Sequence, residues 1–103
     1  MSFGGGAIEA LRQALTLSPE NVPLRRHLAE VLAQAQRWPE AEAELQEALR
    51  LDPGDGETRI ALARALRQQR RLSEALFLLR QVDPAGPASA PGRFLAAQIL
   101  LDL

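Results

Sequence analysis

Residues Ala7–Pro19 read AIEALRQALTLSP, and thirty-four positions on, Ala41–Pro53 read AEAELQEALRLDP. Six of the thirteen positions coincide: Ala7 with Ala41, Leu11 with Leu45, Ala14 with Ala48, Leu15 with Leu49, Leu17 with Leu51 and Pro19 with Pro53. A further step of thirty-four reaches Ala75, Leu79, Val82 and Pro87. The intervening segment keeps the same beat: Arg25, Arg59 and Arg93; Leu28, Leu62 and Ala96; Ala29, Ala63 and Ala97; Leu32, Leu66 and Leu100. Eight columns held in register across the chain mark a repeat architecture, in which each unit buries its apolar face against its neighbours.

Within each repeat the apolar residues recur at three- and four-residue steps, which places Leu28, Ala29 and Leu32 on one helix face and Ala41, Leu45 and Ala48 on another. Alanine at fixed places lets two helices approach closely while leucine fills the space beside it. Pro and Gly punctuate the segments. SPENVP (Ser18–Pro23) and DPGDG (Asp52–Gly56) cannot continue a helix, Pro23 suits a first helical turn, and Ser73 with Glu74 reads as another helix start. The pattern predicts six helices, at about 6–17, 22–36, 39–51, 56–70, 73–82 and 90–102, with no period-two strand pattern. Pro84 precedes the expected Pro87 by three residues and predicts a short fifth helix with an irregular 83–91 loop.

A chain of 103 residues forms one domain with a modest core, built here from Leu and Ala because aromatics are 4% and Tyr is absent. A net charge of −1 offers no general attraction to nucleic acid or to a membrane surface. No apolar run is long enough to span a bilayer, and MSFGGG lacks the charged and apolar regions of a signal peptide. Without cysteine there is no disulfide or thiolate chemistry, and a reducing, cytoplasmic setting is expected. All twelve basic residues are Arg, which reads as genomic bias toward a GC-rich, bacterial source.

Catalysis requires convergent reactive groups, and none converge here. His27 is the one histidine and reads as a surface or groove residue. Ser2, Ser18, Ser73 and Ser89 fall at caps or loops. The run Gly4–Gly6 has neither a preceding strand nor a following Lys-Ser/Thr, so it reads as a flexible leader over residues 1–5 rather than a phosphate loop. Glu40, Glu42, Glu44 and Glu47 on one helix read as a solvated face. The chain is read as a non-enzyme with no metal and no cofactor.

The columns resemble the tetratricopeptide repeat family, whose pattern is W-x2-L-G-x2-Y, then A-x3-F, then P. Arg25, Leu28, Ala29, Leu32, Ala41, Leu45 and Pro53 match it in type, followed by Arg59, Leu62, Ala63, Leu66, Ala75, Leu79 and Pro87. Arg replaces the opening aromatic in all three repeats, Ala replaces Gly, Leu replaces Tyr and Phe, and the turns Gln36–Pro39 and Arg70–Ser73 lack the usual Gly. The resemblance implies an all-α, right-handed superhelical stack of antiparallel helix pairs: a half repeat over 6–21, repeats over 22–55 and 56–89, and a half repeat over 90–103.

It also implies a non-catalytic scaffold or adaptor that binds a protein or peptide in a concave groove lined by the first helix of each pair. Arg26, Glu30 and Gln34 would face that groove from one repeat, and Arg64, Arg67 and Gln68 from the next. Guanidinium groups there suit an acidic partner, because Arg holds carboxylates bidentately; ordinary solvated charge is the competing reading. The carboxylate clamp by which some members grip chaperone tails is mostly absent, since only Arg26 matches, with Glu30 and Ala61 at its Asn positions. Nucleic acid is not an expected partner, for want of basic charge and stacking aromatics. Trp38 reads as a staple between helices or as a partner anchor.

Ile8, Leu11, Leu15 and Leu17 on the first helix, and Phe94, Leu95, Ile99, Leu100, Leu101 and Leu103 on the last, lack a covering helix in this scheme. Such patches signal a piece of a longer protein or pairing with another copy. The alternatives to an adaptor are therefore an accessory segment of a larger enzyme, such as a bacterial ATPase or a glycosyltransferase, and a self-assembly module.

Overall fold

The computed structural model of the chain describes residues 5–103; the first four residues of the expected leader, Gly4 among them, lie outside the described residues. Six helices follow one another among these residues: α1 (Gly5–Leu17), α2 (Val22–Gln34), α3 (Trp38–Leu51), α4 (Gly56–Gln68), α5 (Leu72–Leu79) and α6 (Ser89–Asp102). Among the described residues there is no strand. The chain divides into two compact units between Pro53 and Gly54. In the first, α1 packs on α2 and α2 on α3; in the second, α4 packs on α5 and α6, and α5 on α6.

The thirty-four-residue beat is visible in the boundaries. Asn21 and Asp55, one step apart, each occupy an extended N-cap position. The Asn21 side chain accepts from the Leu24 N–H at 3.0 Å, and Asp55 from the N–H groups of Glu57 (3.1 Å) and Thr58 (3.4 Å). Each cap satisfies amides that the first helical turn leaves without a partner. Pro23 falls in the first turn of α2, where its missing N–H costs nothing.

α2 and α4 end alike. Gln36 and Arg70, again one step apart, adopt left-handed backbone with φ of 63° and 62°. Arg37 N–H reaches Leu32 C=O and Gln36 N–H reaches Ala33 C=O; Arg71 and Arg70 make the same two bonds to Leu66 and Arg67. These are the paired bonds of a Schellman cap, which normally places Gly at the left-handed position. They end α2 at Gln34 and α4 at Gln68, two residues before the expected limits of 36 and 70.

α5 also differs from its expected 73–82. It begins at Leu72 without a side-chain cap, so Ser73 lies inside it, and it closes at Leu79 into tight turns in which Gln81 and Val82 N–H bond Leu78 and Leu79 C=O. Asp83 accepts from the Ala85 N–H at 2.9 Å and sets up the loop around Pro84. Pro19, Pro53 and Pro87 all lie in the turns that follow α1, α3 and α5.

The core of the first unit holds Ile8, Leu15, Leu28, Ala29, Leu32, Ala41, Leu45 and Ala48; that of the second holds Ile60, Leu62, Ala63, Leu66, Ala75, Leu79, Leu95 and Ile99. Most of the repeated leucines and alanines are thus buried, Ala7, Leu17, Ala97 and Leu100 being the exposed members of their columns. The expectation of an uncovered α1 needs correction: Ile8 and Leu15 are buried in the first unit and only Leu17 of the four is fully exposed, Leu11 being half-buried. On α6, Leu95 and Ile99 are likewise buried, whereas Phe94, Leu100, Leu101 and Leu103 stand in solvent.

Candidate partner-binding site

Three of the six expected groove residues lie on α2, at successive four-residue steps along one face. Arg26 is half-buried and already engaged with other groups of the molecule. Glu30 is exposed, and its carboxylate lies 3.9 Å from the equally exposed His27 ring. Gln34, the last residue of α2, is exposed.

The other three lie on α4, at steps of three and four. Arg64 and Gln68 are exposed, and Arg64 has no ion-pair partner among the described residues. Arg67 differs: its Nε donates to Asp102 Oδ2 at 2.7 Å, tying α4 to the last turn of α6. That hydrogen bond, with the nearby charge of Arg70, holds the Asp102 carboxyl below its ordinary range. Sequence spacing on α4 cannot reveal the pair, since the two residues are thirty-five apart and meet only when α6 packs on α4.

The acidic run on α3 is not the solvated face expected of it. Glu40 is held by Arg12 of α1 and by Arg37, each at 2.7 Å. Glu44 takes Arg25 of α2 at 2.7 Å in a pair whose side chains are only 15% and 18% exposed. Glu42 is buried and accepts from Gln46 at 3.0 Å, and Glu47 pairs with Arg50. Hydrogen bonds from Arg37 and Arg50 lower the carboxyl pKa values of Glu40 and Glu47. Part of this was readable from spacing alone: Arg37-x-x-Glu40 recurs as Arg71-x-x-Glu74, and both make the i, i+3 pair. The Arg that replaces the opening aromatic has its own use, since Arg25 also donates to Pro19 C=O at 2.7 Å and Arg59 to Gln81 Oε1 at 2.8 Å. Trp38 opens α3 half-buried, with its indole N–H directed at Gln36 Oε1 at 3.4 Å.

Among the described residues no group of three His, Asp or Glu is placed to hold a metal ion, and no helix is long and apolar enough to cross a membrane. The arrangement offers charged and amide side chains on α2 and α4 for hydrogen bonding.

No curated protein matches the chain. Among solved structures, the TPR2B domain of yeast Sti1 in a complex with pHsp70 is similar: the two share 23% identity and a TM-score of 0.87, over 97% of this chain and 85% of the other. At that identity the likeness establishes the fold. The family model described as Tetratricopeptide repeat matches residues 5–48 and again 40–99. Paired helices, recurring caps and a thirty-four-residue register are thus joined by a match over most of the sequence, and the chain belongs to the tetratricopeptide repeat family.

Proposed function

We propose that the chain is a non-catalytic adaptor that binds an acidic segment of another protein through the exposed face of α4. Domains of this family generally mediate protein–protein interaction, and the similar yeast domain is known in a complex. The observation that carries the reading is Arg64, an exposed guanidinium with no carboxylate of its own among the described residues. Arg64 is the primary contact and Gln68 supplies amide hydrogen bonds beside it; Glu30 and Gln34 offer a face of their own on α2, where Arg26 is half-buried. Arg67, already committed to Asp102, positions α6 and contributes charge. The partner is acidic rather than specifically a chaperone tail, because Glu30 and Ala61 stand where the clamp has Asn.

A pull-down from native extract tests this, comparing the unaltered chain with Arg64→Glu. Arg64→Glu is preferred over Arg67→Glu because it breaks no ion pair. The expected result is a set of acidic-segment proteins lost from the Arg64→Glu eluate. Recovery of the same proteins by both forms removes the reading.

A second reading, self-association, is favoured by the exposure of Leu17 on α1 and of Phe94, Leu101 and Leu103 at the other end of the chain. Sedimentation velocity tests it: association predicts a sedimentation coefficient that rises with concentration, and a constant value removes it.

A further inference from the structure

The first unit contains its own demonstration of how a helix is held between two others. There, α3 lies against α2 and is tied to α1, and Ile8, Leu28 and Leu32 of those two helices are buried. Two arginines grip it from either side: Arg12 of α1 holds Glu40, and Arg25 of α2 holds Glu44, two carboxylates four residues apart on one face of α3.

Two steps of thirty-four carry α1 onto α5 and α2 onto α6. Ile8 becomes Leu76, Leu32 becomes Leu100, and the two gripping arginines become Arg80 and Arg93. In the second unit these residues line an open groove of about 240 Å³ between α5 and α6. The groove is mainly apolar, and among the described residues Arg80 and Arg93 are the only charged ones that line it. Both are exposed, and neither has an ion-pair partner among the described residues. Leu32 is 0% exposed in the first unit, whereas its counterpart Leu100 is 60% exposed. Leu24 and Leu28 have become Gly92 and Ala96, which deepens the groove.

We infer that the α5–α6 groove is a docking site for an amphipathic helix of a partner protein. Charge complementarity defines that helix: it carries two carboxylates four residues apart, one for Arg80 and one for Arg93, beside a stripe of Ala and Leu. A second copy of this chain supplies no such helix from its own start, because α1 has Gly6 and Ala10 where α3 has Glu40 and Glu44. The groove is separate from the surface around Arg64, so either site stands or falls without the other.

The probe is a fluorescein-labelled, end-blocked peptide with the sequence of α3 (Trp38–Leu51), titrated with the full chain and followed by anisotropy. Saturable binding is expected, weakened about tenfold or more by Glu40→Lys with Glu44→Lys in the peptide, and by Arg80→Glu with Arg93→Glu in the chain. Combining the two reversed partners is expected to restore binding. Leu100→Asp, at an exposed position that leaves the fold intact, is expected to abolish it, and Arg64→Glu to leave it unchanged. A peptide with the sequence of α1 is expected to bind at least about tenfold more weakly, because it lacks both carboxylates. Absence of saturation overturns the inference. So does binding indifferent to Arg80→Glu with Arg93→Glu, which would mean that the peptide lodges elsewhere. Equal binding of the α1 peptide would also overturn it, by showing that apolar area alone selects the occupant.

Discussion

Gln36 and Arg70 hold a backbone conformation that costs an L-residue about 1–2 kcal/mol. The cost is tolerated because the two Schellman bonds at each site satisfy carbonyls that the helix end would otherwise strand. Replacing either by Gly removes the strain, less what glycine adds to the entropy of the unfolded chain. Gln36→Gly and Arg70→Gly are each expected to stabilise by roughly 0.5–1 kcal/mol, read as a higher midpoint in thermal denaturation. Gly56 is the opposite case. A Cβ built there lies 2.7 Å from the Ala88 Cβ, well inside normal carbon contact. One step earlier the same position is Val22, so the repeat itself does not demand glycine. The demand comes from the 80–88 loop, which brings Ala88 against the start of α4. Gly56→Ala is expected to destabilise by about 1–2 kcal/mol despite alanine's better helix propensity, with urea denaturation as the measurement.

Among the elements, α2 and α4 begin with the same device at different strengths. Asn21 caps one amide, whereas Asp55 caps two and also accepts the hydroxyl of fully buried Thr58 at 2.7 Å. Asn21→Ala is expected to cost about 1 kcal/mol. Asp55→Ala is expected to cost about 2 kcal/mol or more, because it also strands a buried hydroxyl; parallel urea denaturation of the two variants measures the difference. The candidate site reads unevenly at this scale. That Arg26, Glu30 and Gln34 share a face followed from helical spacing, as did the placement of Arg64 and Gln68. That Arg67 is occupied and that Glu44 is half-buried did not follow, because each depends on a residue brought in by a different helix, Asp102 and Arg25 respectively.

Across the molecule, Glu40, Glu47, Glu74 and Asp102 are all held below the ordinary carboxylate range by a hydrogen-bonded arginine. Each releases its proton more readily folded than unfolded, so its contribution to stability is present above its unfolded pKa and is lost as pH falls through the folded value. The denaturation midpoint is therefore expected to hold from neutral pH to about pH 5 and to fall below about pH 4. Because Glu74 is exposed and Glu40 and Glu47 are only half-buried, 1 M salt is expected to flatten much of that fall. Midpoints in urea at several pH values, with and without salt, measure both. A midpoint that does not fall below pH 4 would mean that these pairs contribute nothing.

Residue order by itself determined the helices, their pairing and the buried stripe, because a thirty-four-residue beat of Leu and Ala admits one way of hiding apolar surface and the prolines close off the rest. Tertiary structure alone decided which charges are paired between helices, why Gly56 must be glycine, and that Ile8 and Leu15 are buried while Leu100 is not. The physical reason is reach. Periodicity is written along the chain and survives in the sequence, whereas an ion pair or a forbidden Cβ depends on distances between segments that meet only after the helices have packed.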